Sequence, residues 1–217
     1  MDFVFEQIRT GGDRNFAYLV GDRPAKTGVL IDPSNNPQAV VERAKAQGLT
    51  VEYVINTHGH PDHTNGNSDA VKLTGARVAA FKGSTVEPDR ALEDGETLRV
   101  GDLSLKFFHV PGHCADHLLI FLEEQQVALT GDLLFVGKVG GTSTESAARE
   151  EYESLQRTLK ILPDTMTVWP GHDYGCRPSS TIALEKATNP FLRVDSFNEF
   201  AALKRDWPTF KKTNGLK

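Results

Sequence analysis

The chain has 217 residues, 39% hydrophobic and 24% charged, with a formal net charge of −5. That length suits one sizeable domain, or one domain with a small appendage, and the composition suits a chain that buries a core. The acidic balance argues against a nucleic-acid partner, which selects for basic excess, and two cysteines are too few for a disulfide framework.

The start, "MDFVFEQIRTGG", lacks the charged and apolar regions of a secretory signal. No apolar run approaches the roughly 20 residues that span a bilayer. The expectation is a cytoplasmic protein with no membrane partner. In chain order, "DFVFEQI", "FAYLVGD" and "GVLIDP" read as strands, the last stopping at Pro33. "NPQAVVERAKAQG" carries apolar residues at helical spacing and ends at Gly48. "VEYVINT" is a β-branched strand, "NSDAVKLTG" a capped helix and "RVAAF" a strand. "EDGETLRVGDLSLKFFHVPG" reads as a hairpin turning at Gly101 and Asp102. "HLLIFLEEQQVALTGD" gives two more strands joined by "EEQQ". "GGTSTESAAREEYESLQRTLKILP" is a loop followed by an amphipathic helix that stops before Pro163. "TMTVWPGHDYG" is a strand running into a loop. Helices follow around Ser180 to Ala187 and Asp195 to Lys204, and the basic end "TFKKTNGLK" is expected to fray.

Four strand ends carry metal-ligand chemistry. After "VEYVIN" come His58, His60, Asp62 and His63, with Pro61 constraining the turn. Loops at strand ends are where catalytic residues concentrate. Histidines two apart can converge on one ion, and His63 with Asp62 can point to a second position about 3.5 Å away, as in two-metal sites. Neutral imidazole suits zinc, iron and other borderline ions. His113 and His172 each follow a strand and a Pro-Gly turn, and Asp132 follows a strand and a glycine. A converging cage lowers the ordering cost of binding a metal. His109, inside "LKFFHV", reads as a packed or edge residue. His117 reads as structural, or as a partner that orients a ligand.

"THGHPDH", the two "PGH" motifs and "TGD", in this order, resemble the metallo-β-lactamase superfamily. The resemblance spans about residues 3 to 192. It implies an α/β fold, an αββα sandwich of two central mixed sheets flanked by helices. The domain would cover residues 1–192, with a helical tail over 193–217 packed on or near it. By resemblance, His58, His60 and His113 hold a first metal, Asp62, His63 and His172 a second, and Asp132 bridges them. The implied cofactors are two divalent ions, zinc foremost, with iron or manganese as alternatives. Hydroxide between the ions would be the nucleophile, and Asp62 would steer a proton if its metal were absent.

"FAYLVGD", "VLIDP", "TGDLLF" and "GHDYG" are similar to the glyoxalase II-like branch and its neighbours, the persulfide dioxygenases. The first implies hydrolysis of a thioester such as an acylglutathione, a small-molecule substrate. The second implies oxidation of glutathione persulfide at one iron held by His58, His113 and Asp132. A silent metal-binding module is the third reading. Lys138, Arg177 and the basic end are candidate substrate contacts. Cys114 and Cys176, each near a presumed ligand, read as small packing residues. The sequence carries no expectation for the oligomer.

Overall fold

The computed structural model describes residues 2–214. The first sheet is ordered β1 (Phe3–Gly11), β2 (Asn15–Asp22), β3 (Thr27–Ile31), β4 (Thr50–Ile55), β5 (Arg77–Phe81) and β6 (Arg90–Leu92). Its first three strands are antiparallel, and the steps from β3 to β6 are parallel. Parallel neighbours need a crossover. Here α1 (Pro37–Ala46) joins β3 to β4, and α2 (Pro61–Thr64) with α3 (Asn67–Thr74) joins β4 to β5. Asn36 starts α1 by accepting from Ala39 N, ahead of Pro37 in the first turn.

The second sheet begins with the meander β7 (Thr97–Val100), β8 (Leu103–His109), β9 (Leu118–Leu122) and β10 (Val127–Gly131). A small hairpin, β11 (Leu134–Phe135) and β12 (Lys138–Val139), follows, and then the long helix α4 (Glu145–Ile161), capped by Thr144. The chain re-enters the sheet as β13 (Thr167–Pro170), parallel to β10, and β14 (Ser180–Thr181). It ends in α5 (Ile182–Thr188), a 3-10 turn over Pro190–Leu192, α6 (Phe197–Arg205) and α7 (Trp207–Thr213).

Both sheets are buried on both faces, which explains the unbroken apolar runs of β2, β3, β9 and β10. Alternation sorts their side chains into three layers. Phe16, Tyr18, Val29 and Ile31 from the first sheet meet Phe107, Leu118, Ile120 and Leu129 from the second. Ala17, Leu19 and Leu30 point the other way, toward Val40, Val41 and Ala70 of α1 and α3. Leu119, Phe121 and Ala128 face Ala148, Leu155, Ile182 and Phe200 of the helices on the far side. The order of layers is therefore αββα. A nine-residue helix such as α6 is marginal alone. Fully burying Phe200 supplies about 1.5–3 kcal/mol toward holding it.

The expected strands and hairpins are present, and the structure adds elements that the periodicity did not announce. Residues 61–64, read as a constrained loop, form the one-turn helix α2, because Pro61 suits its first position and His63 N and Thr64 N both donate to His60 O. The loop after "TGDLLF" closes on itself as β11–β12. The expected helix around Asp195 to Lys204 runs from Phe197 to Arg205, and α7 follows it with Pro208 in its first turn. The frayed end was expected over residues 209–217, of which 215–217 lie outside the described residues. No described helix is long and apolar enough to cross a membrane.

Candidate metal centre

The loops that leave β4, β8, β10 and β13 meet at one end of the sandwich. Two backbone bonds close the sheets there, Leu118 N to Thr57 O at 2.7 Å and Phe16 N to Gly171 O at 2.8 Å. The result brings together all seven residues that the motifs single out. His58, His60 and His113 form one group, and Asp62, His63 and His172 another. A third, of His58, His63 and Asp132, spans the space between them, and within each group the ligand atoms lie within 4.8 Å of one another.

Four of the five imidazoles, those of His58, His63, His113 and His172, face inward with their other nitrogens anchored. His113 Nδ1 donates to Gly141 O and His172 Nδ1 to Asp13 O, both at 2.8 Å. His63 Nδ1 donates to Asp32 Oδ2 at 3.0 Å. His58 Nδ1 donates to Thr57 Oγ1 at 3.0 Å, and Thr57 Oγ1 donates in turn to Asp32 Oδ2 at 2.6 Å. A proton on Nδ1 leaves Nε2 as a lone pair. Those nitrogens crowd together with His60 Nδ1, which is 3.0 Å from both His58 Nε2 and His113 Nε2, and His63 Nε2 is 3.2 Å from His172 Nε2. Asp132 Oδ1, buried, has no hydrogen-bond partner. Converging lone pairs and an unpartnered carboxylate oxygen fit divalent cations, and anchored outer nitrogens are the usual companions of metal-ligating histidines.

Charge tells the same story. Burial holds His58 and His113 below the ordinary imidazole range. Burial also opposes protonation of His172, yet Asp132 and Asp62 outweigh it and push His172 up to about 9. The same contest, with Asp132 and Asp32 as the partners, raises His63. Its hydrogen bond to His172 holds Asp62 far below the usual carboxylate range. For Asp132, burial works upward and is overcome by His172 and His63. The two aspartates thus demand positive charge between them.

Several contributors carry no motif. The tip of the β1–β2 hairpin supplies Asp13 O to His172, and Asn15 Nδ2 donates to Asp62 O and Oδ2 at 3.1 and 3.0 Å. Arg14 sits there at φ +62°, with its guanidinium 4.7 Å from the Tyr174 ring. Tyr174 stacks on His172 at 4.6 Å. His117 is fully buried, its Nε2 accepts the Asp132 N–H at 3.0 Å, and burial lowers its pKa to about 3. It supports a loop of the centre, within the structural reading given to it. His109 lies flat on Phe81 at 4.1 Å, at the end of β8. The two cysteines differ. Burial and then Asp116 raise the Cys114 thiol. Cys176, read as a packing residue, is instead exposed on the wall of a cavity, because the 171–179 segment leaves β13 as irregular backbone.

That cavity, about 860 Å³, opens beside His113 and Asp132. Lys138 and Arg177 both line it, as do Arg14 and Lys211, together with the carboxylates Asp13 and Glu185. Lys138 Nζ lies 4.3 Å from the Tyr174 ring centre and 5.2 Å from that of Phe135. Burial first, then Lys211, lowers the Lys138 ammonium. Cations facing one concave wall raise the local concentration of anionic ligands.

The sequence profile of the Metallo-beta-lactamase superfamily matches residues 10–172. The human mitochondrial persulfide dioxygenase ETHE1 is 32% identical over 191 residues, covering 87% of this chain and 75% of that protein. The hydroxyacylglutathione hydrolase of Polaromonas sp. (strain JS666 / ATCC BAA-500) is 30% identical over 241 residues, covering 94% of this chain and 91% of that protein. Among solved structures, ETHE1 from Myxococcus xanthus superposes with a TM-score of 0.86 at 31% identity, covering 94% of this chain and 91% of the other. The strand ends that carry histidine and aspartate and the αββα layers have the same origin: the chain belongs to the metallo-beta-lactamase superfamily.

Proposed function

We propose that the chain is a metal-dependent hydrolase acting on a thioester of an anionic thiol, such as an acylglutathione. The observation that carries this reading is the second group, Asp62, His63 and His172, complete beside the first and joined to it through Asp132. In this reading His58, His60 and His113 would hold one ion and Asp62, His63 and His172 another, with Asp132 placed between the two groups. The donor set suits zinc, with iron or manganese as alternatives. Two ions bound there supply water of lowered pKa at neutral pH, so that no serine or cysteine nucleophile is required.

The chain's own groups do the rest. Arg14, Lys138, Arg177 and Lys211 attract and orient an anionic substrate, while Phe135, Tyr174 and Trp207 offer apolar faces. Asp62, steadied by Asn15 and kept ionised by His172, suits a place in the second group, and would be free to steer a proton only were that group empty.

A second reading is oxidation of a glutathione persulfide at one iron held by His58, His113 and Asp132. Its support is the likeness to ETHE1 in both sequence and structure. A two-histidine, one-carboxylate set with open positions suits oxygen chemistry. Asp62→Ala separates the two. Under the hydrolase reading it lowers turnover of S-lactoylglutathione by more than the roughly 10–100-fold that loss of an outer partner costs. Oxygen uptake with glutathione persulfide that survives this substitution would favour the dioxygenase.

A further inference from the structure

Helix α4 meets the candidate centre at Glu151, which is wholly buried. Gly112, the residue before His113, lies so close that a Cβ there would stand 2.4 Å from the backbone N, Cα and Cβ of Glu151. Ser154, further along α4, donates its hydroxyl to Pro111 O at 2.7 Å. The Glu151 carboxylate reaches a different segment. Its Oε2 is ion-paired with Lys204 of α6, and Lys204 Nζ also donates to Gly140 O at 2.7 Å. The next carbonyl in the chain, Gly141 O, is the acceptor that anchors His113. A Cβ on Gly140 would lie 2.9 Å from His113 Nδ1 and 3.0 Å from Glu151 Oε1. That oxygen has no hydrogen-bond partner.

A buried ion pair is weak evidence for stability, because well-packed apolar residues of similar size serve as well or better. Phe197 and Phe200 already dock α6 among apolar neighbours. The pair is also under strain as a charge. Burial raises the Glu151 carboxyl to about 7 against the pull of Lys204, and burial lowers the Lys204 ammonium against the pull of Glu151. What the pair does hold is the Gly140–Gly141 segment. Outer partners that fix the orientation of a metal-binding imidazole act on affinity rather than on the fold.

We propose that Glu151 and Lys204 are positioning residues for His113: by pinning Gly140–Gly141 they aim the Gly141 carbonyl at the ring and so set the metal affinity of the His58, His60 and His113 group. The proposal rests on the metal reading given above. It goes beyond it in assigning a role to two residues of the outer helices.

Zinc affinity, measured by competition with a chelator, tests it in two backgrounds. Asp62→Ala leaves the first group intact, and His60→Ala leaves the second. Glu151→Gln and Lys204→Met each weaken zinc binding by about 10–100-fold in the first background and leave it unchanged in the second. Lys204→Arg, which keeps the positive charge, restores most of the loss. The double variant Glu151→Gln/Lys204→Met removes both charges and so avoids stranding one. It too binds zinc more weakly in the first background alone. The unfolding temperature of the metal-free variants, read alongside, separates folding from affinity. Unchanged affinity in the first background, or equal losses in both, overturns the proposal while the metal reading stands. Failure of the Asp62→Ala and His60→Ala proteins, and of the unsubstituted chain, to bind any zinc overturns both.

Discussion

At the scale of single residues, Glu151 makes the stability of the metal-free chain depend on pH. Its carboxyl is raised by burial to about 7, from an ordinary value of 4.5. Between those values the folded chain retains a proton that the unfolded chain has released. Its contribution to stability is therefore full below about pH 4.5 and is lost as pH rises toward about 7. Glu151→Gln replaces the carboxyl with a group that does not titrate. The difference in unfolding temperature, variant minus parent, should rise from pH 4.5 to pH 7 and level off above it. Metal-free thermal unfolding across that range checks this, and a difference independent of pH would contradict it. Asp32 shows what a motif search passes over. It follows β3 at φ +48°, and its carboxylate accepts from Thr57 N at 2.8 Å, Thr57 Oγ1 at 2.6 Å and His63 Nδ1 at 3.0 Å. In the sequence it is only the end of "VLIDP". His58, His113 and His172 were legible because each stands in a motif at a strand end. Asp13, Asn15 and Gly141 were not, because they serve partly through backbone carbonyls or across long sequence separations.

At the scale of elements, the packing of α4 on the loop after β8 turns on Gly112. Its φ of +136° favours glycine, and the space a side chain would need is filled by the Glu151 backbone. Backbone of a helix cannot swing aside as a flexible side chain can. Gly112→Ala should therefore destabilise the chain by about 1–3 kcal/mol, or about 2–12 °C in unfolding temperature for a domain of this size. Calorimetry checks it, and an unchanged Tm would show that α4 shifts freely. The longer elements were readable, since apolar runs buried on both faces and a helical stripe survive any detail of packing. The pieces that escaped, α2, β6, the β11–β12 hairpin, the strand β14 at the start of the helix expected from Ser180, and α7, are short. Their existence depends on neighbours rather than on their own periodicity.

At the scale of the whole molecule, two sheets converge their strand ends and so bring residues 13 to 172 around one volume. The layering and the seven inward-facing side chains were legible from four motifs in order. The cavity's cationic wall was only half legible, because Arg14 and Lys211 come from segments distant in sequence. Sequence likeness runs about equally to a hydroxyacylglutathione hydrolase and to a persulfide dioxygenase. The two readings proposed above differ in whether Asp62, His63 and His172 would hold an ion. The direct test is metal content of anaerobically purified protein, measured on the same sample as its reaction. Two divalent ions per chain, with hydrolysis of S-lactoylglutathione and no oxygen uptake, is the predicted result. One iron per chain, with oxygen consumed on adding glutathione persulfide and the thioester untouched, would contradict it.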